Sequence, residues 1–350
     1  MTYSISIGIL AHNEAGQIAQ TIASLRQQSI FQPGSKYDQV EVIVVPNGCS
    51  DRTDEIAERH FESAQWMNLY PQVECRVVAL PEAGKSNAWN VFIHQLSRPD
   101  AKYIFLMDAD IALNELETLE RMLENLETQA QAWVAIDHPI KDVQMRQTKG
   151  VMATMSAQIS DKDSSNTGIT GQLYCARADK LRQIWMPQGL AVEDGFLRAM
   201  ILTDRFTGPE RFERIAFTPG ASHVYEAYTG VKALLRHEKR IVIGTIVNQF
   251  IFDYLWRMCS QQLDAGTLIR QNNLNNPLWV AHLIEQSKQE KGWWLLHPDH
   301  TFRRFGNLKR YSGFKVLKRL PVELAASIAD WIVFIRANLD VHAGRGLGYW

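Results

Sequence analysis

Asp108 and Asp110 stand directly after an apolar run, Tyr103 to Met107. Two carboxylates separated by one residue can converge on one hard divalent cation, and such a cation can bridge the phosphates of a substrate. An acidic turn that caps the next helix would show the same spacing. The strand that precedes the pair, together with three further polar turns, favours the cation site.

Those three turns are His12-Asn13-Glu14, the segment Asn47 to Asp51, and the segment Pro81 to Lys85. Each also has a structural explanation, because Asn and Asp cap helices and Asn-Gly forms turns. Lys85 begins a predicted helix, where the helix dipole favours anions, so a phosphate partner would remove an unfavourable interaction. The occurrence of all four polar turns in order at strand ends favours one shared binding edge.

The elements between these turns alternate. Apolar runs predict strands at 4–11, 40–45, 75–80 and 103–107, and helical spacing of apolar residues follows each of them. Strands that alternate with helices predict a mostly parallel, doubly wound sheet. Ligands of such sheets bind beyond the carboxyl ends of the strands, which is where the polar turns lie.

In order and spacing the four turns resemble those of the family 2 glycosyltransferases, over about residues 4–220. The resemblance implies a GT-A type, Rossmann-like α/β fold with a mostly parallel central sheet flanked by helices. It also implies a UDP- or GDP-sugar donor and a divalent metal, Mn or Mg. By motif position, the implied donor-site residues are Glu14, Asn47, Asp51, Lys85, Asp108 and Asp110, of which Asp108 and Asp110 carry the metal. Asn47 stands where many members have Asp, which leaves the identity of the base open.

A second acidic pair, Glu193-Asp194, lies in the segment 190–197. An acceptor hydroxyl must lose its proton as it attacks a sugar's anomeric carbon, and a nearby carboxylate can take that proton. The pair resembles the Glu-Asp motif of the family, which implies Asp194 as the base of an inverting transfer and Glu193 as the residue that positions the acceptor. The structural alternative is an acidic helix start. The glycine-rich segment 168–177 resembles the strand beneath the acceptor pocket of that family.

Two downstream residues complete the predicted site. His223 is a candidate third metal ligand, as GT-A enzymes sometimes use a histidine there, although a lone histidine is often structural. The run Arg236 to Arg240 resembles a basic segment of the family but lacks its Trp, since Ile241 follows. Arg240 is a candidate for neutralising the departing diphosphate, and a solvated basic helix face is the alternative.

Composition limits the partners and the compartment. The formal net charge is −1, from 37 Lys+Arg and 38 Asp+Glu, so no global field attracts nucleic acid. The four cysteines show no CxxC pair and are expected to be reduced thiols. Residues 4–10 begin as a strand without a basic leader, and no apolar run reaches a membrane span, so a cytoplasmic protein without a secretion signal is expected.

From about residue 220 the spacing of the apolar residues becomes predominantly helical. We therefore predict a catalytic domain over 1–220 and a mainly helical C-terminal extension over 221–350, which associates with acceptor or membrane. A basic and aromatic stretch, 302–319, precedes an amphipathic segment. It has three interpretations, namely peripheral contact of 302–335 with the cytoplasmic membrane face, nucleic-acid binding, and packing of arginine stems. Nucleic acid is the least favoured because no recognisable module is present. The sequence does not indicate an oligomeric state.

These observations predict an inverting glycosyltransferase that moves a hexose-type residue from a nucleoside diphosphate sugar to a glycan or lipid-linked acceptor. Polysaccharide or glycoconjugate synthesis is the expected context. Two alternatives stay open, a catalytically silent scaffold that binds sugar nucleotides and a sugar-1-phosphate nucleotidyltransferase. The second would require a glycine-rich loop after the first strand, where His12-Asn13-Glu14 stands. A nicotinamide dehydrogenase would require a GxGxxG segment there.

Overall fold

An eight-stranded sheet forms the centre of the computed structural model, which describes residues 4–37, 39–69, 73–145, 168–227, 230–301 and 314–345. The strand order is β3-β2-β1-β4-β7-β6-β8-β5. The strands are β1 Ser4–Ala11, β2 Gln39–Pro46, β3 Val73–Val77, β4 Tyr103–Asp108, β5 Ile111–Leu113, β6 Val134–Lys141, β7 Leu173–Arg177 and β8 Ile215–Tyr225.

Helices pack on both faces of this sheet. Two 3-10 turns, Ser29–Phe31 and Phe212–Arg214, and a π-helical turn, Phe92–Leu96, accompany them. The α-helices are α1 Ile18–Arg26, α2 Thr53–Phe61, α3 Ala64–Met67, α4 Lys85–Val91, α5 Thr118–Thr128, α6 Asp142–Met145, α7 Ala178–Leu181, α8 Glu193–Leu202, α9 Val231–Cys259, α10 Ala265–Asn275, α11 Trp279–Lys291, α12 Pro298–Thr301 and α13 Phe314–His342.

The first four strands confirm the predicted βα pattern. Strand β1 pairs in parallel with β2 and with β4, and β2 pairs in parallel with β3. Every residue of β1 is buried, as expected for a strand covered on both faces. The third strand, however, begins at Val73 and ends at Val77, and Leu80 only forms an isolated bridge with Asn47.

The second half of the sheet contains antiparallel as well as parallel pairings, within the predicted α/β arrangement of a central sheet flanked by helices. Strand β7 runs antiparallel to β4 and β6, and β5 runs antiparallel to β8, whereas β6 and β8 are parallel. Antiparallel strands usually reveal themselves by alternating polar and apolar residues. Strand β7 does not, because four of its five residues are buried between two helical layers.

Each face of the sheet has its own core. One core joins α1 and α5 to the sheet through residues such as Ile22 and Leu123. The other joins the sheet to α8, α9 and α13 through residues such as Phe196, Ile246 and Phe334. The C-terminal helices are therefore part of the same packed body as the strands. All four cysteines are free, as predicted.

The domain boundary predicted at residue 220 falls inside β8, which continues to Tyr225 and pairs there with Ile111. The helical part begins at Val231. The segment 241–258 lies in α9 with Ile243, Ile246 and Val247 fully buried. Within the part of the chain that is described, no helix is long and apolar enough to cross a membrane. The basic stretch at 302–313 lies outside the described residues.

Candidate active site

Asn47 connects three of the polar turns. Its side-chain Nδ2 donates to the Ala11 carbonyl at 2.8 Å, and its Oδ1 accepts the Gly84 N–H at 3.0 Å. The residue is fully buried. Its amide is thus used within the protein, and its predicted contact with the donor stays a prediction. Asn47 instead fixes the relative positions of the turns after β1 and β2 and before α4.

Asp51 connects the first two turns in a similar way. Its Oδ2 accepts the Ala15 N–H at 3.0 Å, and its Oδ1 accepts the N–H and hydroxyl of Thr53 at 3.1 and 2.5 Å. Burial acts to raise the pKa of Asp51, but these hydrogen bonds hold it below its ordinary value. The carboxylate is therefore ionised and already bonded, and its predicted role in donor binding stays a prediction.

Glu14 faces a group of other carboxylates at the same edge of the sheet. Burial, followed by Asp110, Asp108, Asp51 and Glu226, raises the pKa of Glu14 to about 7. Burial is also the main cause that raises the pKa of Asp108 to about 7, with Asp110 adding to it, although a neighbouring lysine opposes the shift. The edge thus concentrates negative charge, and a bound cation would relieve the repulsion.

That lysine is Lys85, which joins the two acidic motifs. Its Nζ lies 2.6 Å from Asp108 Oδ1 and 2.8 Å from Glu193 Oε1, and it donates to the Gly171 carbonyl at 3.2 Å. Burial alone would lower the pKa of Lys85, but the two carboxylates raise it above its ordinary value. Burial acts to raise the pKa of Glu193, but Lys85 holds it below its ordinary value. In this structure Lys85 contacts two carboxylates, and its predicted contact with a phosphate stays a prediction.

Gly171 allows this approach. A Cβ atom at this position would lie 2.7 Å from Glu193 Oε1 and 3.2 Å from Lys85 Nζ. Any larger residue would displace one of the two charged groups. The glycine-rich segment therefore makes room for the protein's own charged side chains.

A pocket brings the central residues together. It is lined by Lys85, Asp108, Gly171, Glu193 and Asp194 and by an apolar wall of Leu10, Trp89, Leu106, Met107, Tyr174, Met186 and Leu197. Burial, followed by the charge of Glu193, raises the pKa of Asp194 to about 6. A carboxylate with that pKa is ionised at neutral pH and can still take up a proton, which suits a general base.

Trp89 and Tyr174 were not predicted as pocket residues. Trp89 Nε1 donates to Tyr174 Oη at 2.6 Å, which gives both polar groups a partner within the apolar wall. Both residues lie in segments that the motifs identified, 84–90 and 168–177. Sequence spacing places such segments at the site but does not show which side chains face the pocket.

The C-terminal helix α9 packs against the residue that precedes the acidic pair. Asn248 Nδ2 donates to the Val192 carbonyl at 3.0 Å, and a Cβ on Gly244 would lie 2.3 Å from Val192 Cγ2. Arg240, four residues before Gly244, lies on the same face of the helix. Its charge acts to lower the pKa of both carboxyls in the acidic pair. The extension thus helps to position the predicted catalytic residues.

Gly244→Ala is expected to lower kcat by about tenfold or more. Alanine stabilises a helix interior by about 1 kcal/mol relative to glycine. At this position, however, its Cβ would collide with Val192 and move the acidic pair. Steady-state kinetics and thermal unfolding check this. The double variant Gly244→Ala with Val192→Gly removes the colliding atoms. It should recover the activity that Gly244→Ala loses and be about as active as Val192→Gly alone. Full activity of Gly244→Ala would contradict the expected contact.

His223 lies inside the protein, and its predicted role as a metal ligand stays a prediction. It is fully buried, with Nδ1 2.7 Å from Asp137 Oδ2 and Nε2 3.3 Å from Gln172 Oε1. The Gln172 carbonyl in turn accepts the Asp108 N–H at 2.9 Å. His223 therefore supports the strand end from behind. Among the described residues, no group of three or more His, Cys, Asp or Glu is arranged to hold a metal ion.

Comparisons with known proteins agree with this geometry. The family "Glycosyl transferase family 2" matches residues 6–177. No curated protein matches the sequence. Among solved structures, a mannosyltransferase from Pyrobaculum calidifontis in complex with GDP-Man and Mn2+ is similar, with a TM-score of 0.52 and 15 % identity, over 98 % of this chain and 87 % of that one.

A second solved structure is glucosyl-3-phosphoglycerate synthase from Mycobacterium tuberculosis in complex with Mg2+ and UDP. It has a TM-score of 0.47 and 18 % identity, over 71 % of this chain and 79 % of that one. At such identities the likeness of the Pyrobaculum structure concerns the fold, and the mixed sheet with its flanking helices is a GT-A type arrangement.

Proposed function

The chain is a glycosyltransferase whose residues 6–177 form a family 2 domain, and on this basis we propose that it catalyses an inverting transfer. The sugar moves from a UDP- or GDP-sugar to a hydroxyl of a glycan or lipid-linked acceptor. One observation carries the proposal. Lys85 brings Asp108 of the first acidic motif and Glu193 of the second to within 2.6 and 2.8 Å of one ammonium group.

The residues present fit a divalent cation, Mn or Mg. Asp108 and Asp110 would hold it, because they belong to an edge where Glu14 adds further negative charge. Two protein carboxylates suffice where substrate phosphates and water supply the other ligands, as is usual for magnesium. When bound, the cation neutralises the charge that develops on the departing diphosphate.

Asp194 is proposed as the base. It takes the proton of the acceptor hydroxyl as the oxygen forms its bond to the anomeric carbon, and the bond from that carbon to the nucleoside diphosphate breaks on the opposite side. Glu193, held ionised by Lys85, is proposed to orient the acceptor. Only one displacement occurs, so the product has the inverted configuration and no covalent intermediate on the enzyme is needed.

Lys85 and Arg240 are proposed to balance the negative charge of the diphosphate. Arg240 Nε is buried and has no hydrogen-bond partner among the residues that the structure describes. A buried guanidinium nitrogen without a partner is costly, and a phosphate oxygen would satisfy it. Glu14 and Asp51 remain the proposed contacts to the nucleoside.

Purified protein tested against a panel of nucleotide sugars, with and without Mn2+, examines this function. We expect turnover of one donor that requires metal and disappears in Asp110→Ala. Since Asp110 is exposed, this variant should keep its fold, and calorimetry should still detect weakened donor binding. Absence of donor binding under every metal condition would favour the silent scaffold instead. The family match argues against a nucleotidyltransferase.

The pH dependence follows from the raised pKa of Asp194. The base must be ionised, so kcat/KM should fall about tenfold per pH unit below pH 6 and should not vary with this group above pH 7. Saturating Mn2+ keeps Asp108 ionised during the measurement, so that its own raised pKa does not contribute. A profile that stays flat down to pH 5 would exclude Asp194 as the base.

A further inference from the structure

The last helix carries an exposed apolar face. Five aliphatic side chains of α13 point to solvent, each between 41 % and 65 % exposed, and they recur at intervals of four, four, three and four residues. We call them the apolar stripe: Leu324, Ile328, Ile332, Ile335 and Leu339. At 1.5 Å per residue the stripe is about 22 Å long. Its length and continuity distinguish it from the scattered apolar residues of an ordinary surface.

The stripe is not left exposed by loose packing of the helix. The opposite face of α13 is buried against the rest of the protein through Val333, Phe334, Ala337 and Val341. The helix is also fixed by polar contacts, since Asn338 donates from Nδ2 to the Trp293 carbonyl at 2.8 Å and accepts the Leu295 N–H at 2.9 Å. The stripe is therefore held outward on a helix that is docked along its other side.

An aromatic group lies beside the stripe. Trp293 is 57 % exposed, and its carbonyl is bonded to α13 through Asn338 and His342. Trp294 contacts Trp293 on one side and Trp331 of α13 on the other, with ring centroids 5.7 and 5.4 Å apart. Tryptophan favours the zone between lipid headgroups and acyl chains because its ring is apolar and its N–H is polar.

The sequence before the stripe is strongly basic. Between residues 302 and 322 there are seven Lys and Arg and no Asp or Glu, although the whole chain carries a formal net charge of −1. Such a local excess attracts a negatively charged surface. Positive charge followed by an exposed apolar helix face is the combination that binds anionic lipid, because each signal alone is weak.

We infer that the apolar stripe of α13 docks on an anionic lipid surface, with the helix lying in the plane of the interface. The aliphatic side chains enter the headgroup boundary while Trp293 lies at its level. This inference concerns a surface distinct from the transfer site and does not require any particular donor or acceptor. A second copy of the chain is the competing occupant of the stripe.

Vesicle binding by the full-length protein tests the inference. Flotation with phosphatidylglycerol-containing vesicles should recover the protein, whereas pure phosphatidylcholine vesicles should not, and binding should weaken between about 0.1 M and about 0.5 M salt. The double variant Ile328→Asp with Ile332→Asp should bind these vesicles at least about tenfold more weakly than the wild type. The matched control is Leu274→Asp with Leu278→Asp, which changes two leucines outside the stripe that are 70 % and 64 % exposed.

Thermal unfolding of both double variants shows whether they are folded, and hydrolysis of a soluble nucleotide sugar reports the transfer site separately. Equal vesicle binding by the stripe variant and the wild type would overturn the inference. The inference would also be overturned if light scattering showed a dimer for the wild type and a monomer for the stripe variant, and neither protein bound vesicles. A second copy of the chain would then cover the stripe. If the wild type bound vesicles but did not hydrolyse the nucleotide sugar, the result would count against the proposed transferase only.

Discussion

Replacing Asp194 by asparagine is expected to lower kcat by about 10²–10⁴-fold, the usual contribution of general base catalysis. Asparagine has almost the same shape but cannot accept the acceptor's proton. Donor binding should persist, because the residues proposed to hold the nucleotide and the diphosphate lie on other elements. Calorimetry with the donor, beside steady-state kinetics, separates the two effects.

The stability of Asp194→Asn gives an independent check. Burial raises the pKa of Asp194, so its ionised form at neutral pH costs stability in the native state. The cost is present above pH 6 and disappears as pH falls and the carboxyl is protonated. The variant should thus unfold at a temperature no lower than wild type at pH 8. Asp179→Asn, an exposed site distant from the pocket, is the control, and nearly full activity of Asp194→Asn would move the base to Glu193.

Replacing Lys85 by methionine is expected to destabilise the protein by about 3–5 kcal/mol at pH 8, the cost typical of leaving buried charges without their partner. Methionine keeps the length of the side chain and removes the ammonium group between Asp108 and Glu193. Both side chains are less than one fifth exposed, so water can compensate only in part. Activity should fall with stability, because the two acidic motifs lose their common contact.

Urea unfolding at pH 8 and at pH 5.5 checks this expectation. Without Lys85 the folded-state pKa of Glu193 should rise above its unfolded value, so protonation at low pH should recover stability and shrink the difference from wild type. The control is Lys36→Met, where an exposed lysine contacts Glu124 at 3.2 Å and a change within about 1 kcal/mol is expected. A loss equal at both pH values would show that packing, not charge, is what Lys85 contributes.

The sequence predicted the first half of the fold because parallel strands buried on both faces appear as continuous apolar runs. Strand β1 and its neighbours followed that rule. The direction of β7 could not be predicted, since its residues are as apolar as those of β1. The course of β8 through Pro219-Gly220 was also not predicted, because this pair usually indicates a turn.

The site was predicted at the level of motifs more than of atoms. The polar turns indicated Lys85 and Asp108, the second acidic pair indicated Glu193 and Asp194, and the structure brings these four together in one pocket. The contacts that Asn47 and His223 make within the protein were not predicted, because a polar residue at a strand end can face either a ligand or its neighbours. Burial decides between these, and burial depends on contacts far apart in sequence, such as His223 with Asp137.

The core shared between the sheet and the last helix bears on how the enzyme is made. Leu10 and Ile104 of the strands belong to the same packed cluster as Val333 and Val341 of α13. Chains emerge from the ribosome with the N-terminus first, so the part of this core between α9 and α13 stays incomplete until α13 is synthesised. A chain truncated before α13 would therefore expose apolar core residues, and exposed apolar surface of this kind makes a chain prone to aggregation and to recognition by chaperones.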